Sequence, residues 1–344
     1  YPKSLVSVTK DDDGVSGIFG GDVVIRHGVE DAASFYASDF TRTVTVEHEF
    51  NCMQQYMVGS ATTSGNIDNW NVDGPGAFAK DSAYNDGFSQ IEHACFANSE
   101  NSVASLILAG TGTRKLSQTG KLFNGTQTYN VKTAKGKKYG WNLIQNPFQT
   151  PILAKNCVEF GSPVETTIWV RTLQGGEYTF GTYNTSTDES VYIGNTIAPQ
   201  QAFYVKTTSA STVKVKYPTR TVDGDGIGLK SVKVSTDVLR LRVNNGDKSD
   251  ELALVFREGG ELYSFEGDAN KLVDEAKMSQ IYALKDNGKK LVIPFYPEVQ
   301  DIESVTLGVK LNDGPNATII ASNLDVFDSA DEIILKDNVL DTEV

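Results

Sequence analysis

Val238-Leu239-Arg240-Leu241-Arg242-Val243, then Asn244-Asn245-Gly246-Asp247, then Glu251-Leu252-Ala253-Leu254-Val255-Phe256: this stretch reads as a strand, a tight turn and a second strand. Apolar and basic residues alternate over most of the first run, as they do when successive side chains point to opposite faces of a sheet. Asn and Gly at the turn tolerate the positive backbone angles that a hairpin demands. The second run is apolar from Leu252 to Phe256 and ends in residues that favour a pleated surface.

The same grammar extends in both directions. Thr41-Arg42-Thr43-Val44-Thr45-Val46-Glu47 alternates, and so does 126–132, and further strands are expected at 166–171, 177–183, 201–207 and 211–217. Gly175-Gly176, Gly259-Gly260, Asp286-Asn287-Gly288 and Asn312-Asp313-Gly314-Pro315 punctuate the runs as turns. Long amphipathic helical periods are absent, and 270–280 has room for one short helical turn. The pattern predicts an all-β chain of two antiparallel β-sandwich or jelly-roll-like domains. They cover 1–220 and 221–340, with the joint at Val222-Asp223-Gly224-Asp225-Gly226. Long N-terminal loops, above all 58–85, enlarge the first domain. Residues 1–120 either complete that domain or form their own.

A chain of 344 residues exceeds one ordinary core, which agrees with two domains. Hydrophobic residues at 39% and charged residues at 22% fit a folded chain. The net charge of −13 repels phosphate backbones and anionic headgroups, which weighs against nucleic-acid and peripheral membrane binding. No apolar run reaches the roughly 20 residues of a membrane span, so no membrane insertion is expected. The start on Tyr1 is read as the result of removing an upstream piece.

Several segments resemble those of large secreted Bacteroidetes surface proteins, which often end in a sorting domain for type IX secretion. Trp141-Asn142-Leu143-Ile144-Gln145-Asn146-Pro147-Phe148 is similar to their W-N-L-(I/V)-G-N-P-(Y/F) segment. Ile197-Ala198-Pro199-Gln200-Gln201-Ala202-Phe203 is similar to I-A-P-x-Q-A-F. Leu239–Val243, Asp250–Phe256, Asp268–Leu272 and Gln280–Leu284 continue the likeness in the same order. Gln145, Ser279 and Pro294 depart from the pattern at turns. The resemblance spans about 126–337 and implies an extracellular or cell-surface location, a β-rich architecture and membership of a longer protein. It implies no catalytic residues.

The chemistry-bearing residues are few. His27, His48 and His93 have no spacing that assembles three or four zinc ligands, so ordinary structural roles are expected for them. A nucleophile elbow and a Cys–His signature are missing, and no catalytic residues are assigned. Structural Ca²⁺ is the one cofactor considered, through hard oxygen ligands at Asp11 and Asp13 or at Asp223 and Asp225. Asp325, Asp328 and Asp331 form a third acidic run. Cys52 and Cys95 are the preferred disulfide pair, against three buried free thiols that include Cys157.

A glycan site needs exposed aromatic faces and amide or carboxylate partners for hydroxyls. Trp70, Phe78 and Tyr84 offer this within 58–85, and Tyr178, Tyr183 and Tyr192 with Asn184 offer it further on. The competing role for these rings is to plug the ends of a sandwich. Asn124, Asn184 and Asn316 begin N-glycosylation triplets. The sequence therefore predicts a non-catalytic structural or adhesive surface protein whose partners are other surface proteins or itself. The rival is a carbohydrate-binding module of a larger protein or glycan-degrading enzyme.

Overall fold

A computed structural model describes residues 5–7, 24–28, 34–36, 42–63, 71–72, 78–81, 95–96, 103–108, 110–133, 140–174, 176–218, 237–261, 267–272, 279–285, 288–327, 334–338 and 341–343. Among them strands dominate, arranged in several sheets, and the chain is all-β in character. The expectation of purely antiparallel sheets is corrected. Val24–His27 runs parallel to Thr43–Asn51, Cys95–Phe96 to Gly140–Gln145, and Lys248–Phe256 to Phe295–Tyr296. The one α-helix among the described residues is a single turn, Ala154–Cys157, which no periodicity announced.

The chain divides into two compact units, Tyr1–Gly228 with Leu272–Glu275, and Leu229–Lys271 with Ala276–Val344. In the first unit a six-stranded sheet is built around Gly140–Gln145 and Ala202–Thr207, paired antiparallel from Gly140↔Thr207 to Gln145↔Ala202. Every residue of both strands is buried. Covered faces on both sides explain why neither run alternates between apolar and exposed polar residues, and why its polar members, among them Asn142, Gln145 and Lys206, are buried too. One face sends Ile144, Phe203 and Val205 into a core with Ile168, Val170 and Tyr183. The other sends Trp141, Leu143 and Tyr204 against Trp169 and Phe180. Trp141 and Trp169 meet edge to face with centroids 4.8 Å apart, as core residues.

The N-terminal part is tied to this sheet. A four-stranded sheet holds Val24–His27, Thr43–Asn51, Thr113–Lys121 and Asn71–Val72. Its apolar face packs Ile25, Val44, Val46 and Leu116 with Val58 and Leu108. Gln55–Gly59 pairs with Val103–Leu108, which pairs in turn with Phe78–Asp81. Segment 58–85 is thus not the continuous loop expected from its composition, because three strands enter it. Val58 forms a β-bridge with Gln201. The Gly59 N–H donates to Gln200 O at 2.8 Å.

In the second unit the opening stretch forms the expected hairpin, Val238–Asn245 with Lys248–Phe256. Gly246 takes φ 62 at the turn. Leu239, Leu241, Val243, Leu252, Leu254 and Phe256 share one core with Ile281, Ala283 and Tyr296. Buried Asn245 stitches the hairpin end to a neighbouring turn. Its Oδ1 accepts from Ser279 Oγ and from the Asp313 N–H, both at 2.7 Å.

Candidate functional site

The residues singled out from sequence do not assemble into one site. Trp70, Tyr84, Asp11, Asp13, Asp223 and Asp225 lie outside the described residues. So do His93, Asp328 and Asp331. Phe78 stands in the strand Phe78–Asp81, not in a loop. Tyr183 is corrected as a sugar-stacking candidate: it is 1% exposed, and its hydroxyl donates to Asp188 Oδ1 at 2.6 Å. Burial and that carboxylate push its phenol well above the usual range. Cys52 is a buried free thiol, so the expected Cys52–Cys95 bond is not formed, and Cys157 is free and buried as well. The backbone of Cys95 instead pairs with Asn142. Among the described residues no group of three or more His, Cys, Asp or Glu side chains is placed to hold a metal ion.

Asn184 also leaves the surface. It is fully buried, and its Nδ2 donates to Thr167 Oγ1 at 3.0 Å. Its Oδ1 accepts from the N–H groups of Ser186 and Thr187 at 2.9 and 3.1 Å, closing an Asx-type turn. Tyr178 is half-buried and carries the Arg171 guanidinium 5.2 Å over its ring.

Arg171 leads to a cleft of about 190 Å³ that sequence reasoning did not single out. Its walls come from the end of Thr43–Asn51, from Gln55–Gly59, from Thr167–Gln174 and from the turn at 198–201. Phe50, Tyr56, Met57, Val58, Val170 and Pro199 give it apolar surface, and His48, Glu49, Arg171, Gln200 and Gln201 give it polar groups. Backbone bonds hold the turn firmly. Gln200 N donates to Asn146 O and Asn146 N to Gln201 O, each at 3.0 Å. Asn146 is itself anchored, its Nδ2 donating to Thr150 O at 2.9 Å and to Ile197 O at 3.1 Å.

Behind the cleft lies a buried network of amides and imidazoles. Gln200 Nε2 donates to Gln149 Oε1 at 2.8 Å, and His27 Nε2 bonds the same oxygen at 2.9 Å. Gln149 Nε2 donates to Ala61 O at 3.0 Å, and Gln145 Nε2 to Ser60 O at 3.2 Å. From the opposite sheet Gln118 Oε1 accepts from the Ala61 N–H at 2.8 Å. Burial lowers the pKa of His27, against its bond to Gln149. Burial, then the neighbouring His27, hold that of His48 down to about 3, so the His48 imidazole is neutral at neutral pH. The Gln200 side chain lies near enough to His48 to oppose that shift. Yet neither His48 Nδ1 nor Gln200 Oε1 makes a hydrogen bond of normal geometry, although both atoms are buried.

The site stayed hidden because His48 and Gln200 stand far apart in the chain and belong to no local motif. The only signals were the Thr/Val alternation around residue 45 and the Pro199-Gln200-Gln201 turn. Comparison with protein families, curated proteins and solved structures finds no match to this chain.

Proposed function

We propose that this chain is a non-catalytic structural or adhesive protein of a cell surface or the extracellular medium. In this reading its two units are sandwich-like domains, and the second associates laterally with a second copy of the chain. One observation carries the proposal. Thr318–Ser322 and Thr306–Lys310 are the terminal strands of two different sheets among the described residues of the second unit. Both are unusually open for strands, with Ile320 47% and Val309 42% exposed.

An exposed edge presents a row of N–H and C=O groups that template a further strand, and most proteins guard such edges with charge or proline. Thr318-Ile319-Ile320-Ala321-Ser322 carries neither. In a chain of net charge −13, an uncharged strand lets two like-charged copies meet without opposing carboxylates. The resemblance to Bacteroidetes surface proteins supports the location and the type IX export route.

Sedimentation velocity over a concentration series tests the proposal. Self-association is expected, weakened by Ile320→Lys without loss of the thermal transition. Ordered arrays by electron microscopy would agree with it. A chain that stays monomeric at every concentration and forms no arrays would overturn it. A carbohydrate-binding role is the second reading, favoured by the amide- and aromatic-lined cleft.

A further inference from the structure

We infer that the open edge of the second unit is completed in trans: Ile334-Leu335 of a second copy adds as a strand beside Thr318–Ser322. This deepens the lateral-association reading and rests on it, and it names what the second copy places on the edge.

The acceptor is an edge where the covering of the core stops. Val238–Asn245 and Gln280–Leu284 share one core through buried Leu241, Val243, Ile281 and Ala283. The terminal strands extend the two sheets on that side, Thr318–Ser322 beside Val238–Asn245 and Thr306–Lys310 beside Gln280–Leu284. Leu307 and Ile319 reach the same core from these strands but are only partly buried. The outer side of the edge is apolar too, since Ile320 follows Ile319 directly and is exposed. An incoming strand therefore meets apolar surface on both of its faces, besides the backbone groups of the edge.

The donor follows from that geometry. Successive side chains of a strand point to opposite faces, so a strand added here needs two consecutive apolar residues, one for each face. Among the described residues Ile334 and Leu335, 52% and 42% exposed, are the only sequence neighbours that both expose large apolar side chains. They lead into the pairing of Lys336–Asp337 with Thr342–Glu343, a two-stranded sheet that joins neither larger sheet of the unit. Neither residue lies in a strand of its own chain.

Charge favours the same match. Asp331 and Glu332 precede the donor, and Asp337 follows Lys336. Beside the acceptor, Arg242 stands opposite Ile320 in the register and shares the carboxylate of Glu251 with Arg240. Lys310 ends the other terminal strand. An acidic donor thus meets a basic rim in a chain whose net charge is −13. Donor and acceptor are different surfaces, so the contact is heterologous and its repetition builds a row of copies.

The test makes Ile320→Cys and Leu335→Cys as separate full-length chains, one carrying a tag that changes its size. They are mixed, oxidised and read on non-reducing gels, with the parent chain, whose Cys52 and Cys157 are buried, as the blank. A disulfide-linked dimer of the two different chains is expected, well above the linkage in either variant alone. Ile334→Asp combined with Leu335→Asp is expected to weaken self-association in sedimentation about tenfold or more. Its thermal transition should be kept, because neither residue belongs to the core. Absence of the mixed bond, or self-association unchanged in the Asp variant, would overturn the donor while leaving lateral association in place. A chain that stays monomeric throughout would overturn both.

Discussion

His27 and His48 lie directly opposite each other on neighbouring parallel strands, with ring centroids 5.2 Å apart. Their pKa values are both lowered, chiefly by burial, and His48 feels His27 as well. Above pH 6.5 both rings are neutral in the folded and the unfolded chain, and neither contributes a pH dependence. Below it the unfolded chain takes up protons that the fold refuses. Stability should therefore fall as the pH drops from 6.5, by up to about 1.4 kcal/mol per unit for each histidine. For His48 the fall ends only near its folded value of about 3. Urea titrations between pH 7 and 5, above most carboxylate titration, read this slope. A flat profile in that window would contradict the buried pair.

The Lys285–Asp268 pair gives a second expectation. Lys285 Nζ donates to Asp268 Oδ1 at 2.8 Å and to the carbonyls of Glu261 and Phe295 at 3.0 Å each. Both side chains are almost wholly enclosed, and burial drives Asp268 up and Lys285 down. Lys285→Met should cost about 3–5 kcal/mol, because a carboxylate is left buried without its cation. Adding Asp268→Leu should recover part of that loss. The comparison needs denaturant curves of the two variants, and a single variant within 1 kcal/mol of the parent would refute it.

Gly59 gives a third. A Cβ at this position would overlap the Gln145 carboxamide, which is held in place by Ser60 O. Gly59→Ala should destabilise the first unit by about 1–3 kcal/mol through overpacking. Combined with Gln145→Ala, the loss should be smaller than the sum of the two single losses. Strict additivity in the double-mutant cycle would show that the two residues do not compete for space.

The glycosylation triplets divide by burial. Asn124 and Asn316 are exposed, whereas Asn184 is enclosed with its amide engaged. When the chain is expressed in a glycosylating host, peptide mapping of the folded product should find glycan at the first two and none at Asn184. Asn184→Ala should lower stability by about 1–3 kcal/mol, since Thr167 Oγ1, the Ser186 N–H and Oγ and the Thr187 N–H all lose their partner.

Strand identity was legible wherever one face is buried, as in Val238–Asn245, whose buried and open positions largely alternate. It was also legible in Gly140–Gln145 and Ala202–Thr207 through their motifs. Parallel pairing was not, because it joins distant segments without a turn to mark it. Composition misled at Phe78, where the surrounding Gly, Asn and Asp residues hid a strand paired to Val103–Leu108. It misled again at Tyr183, since an aromatic beside Asn184 looks the same on a ligand face as beneath a turn. The cleft could not be read ahead of the fold. Its walls come together only once the 198–201 turn is set against the end of Thr43–Asn51.

The bridge from Val58 to Gln201 has a bearing on when this protein can fold. Gln55–Gly59 is translated early, yet its backbone contacts at 200–201 arrive much later, as do the partners of Gly140–Gln145 in Ala202–Thr207. Such long-range pairing slows folding and postpones it until most of the unit has left the ribosome. A chain that remains uncommitted for that long keeps its apolar strands open to aggregation over the same interval.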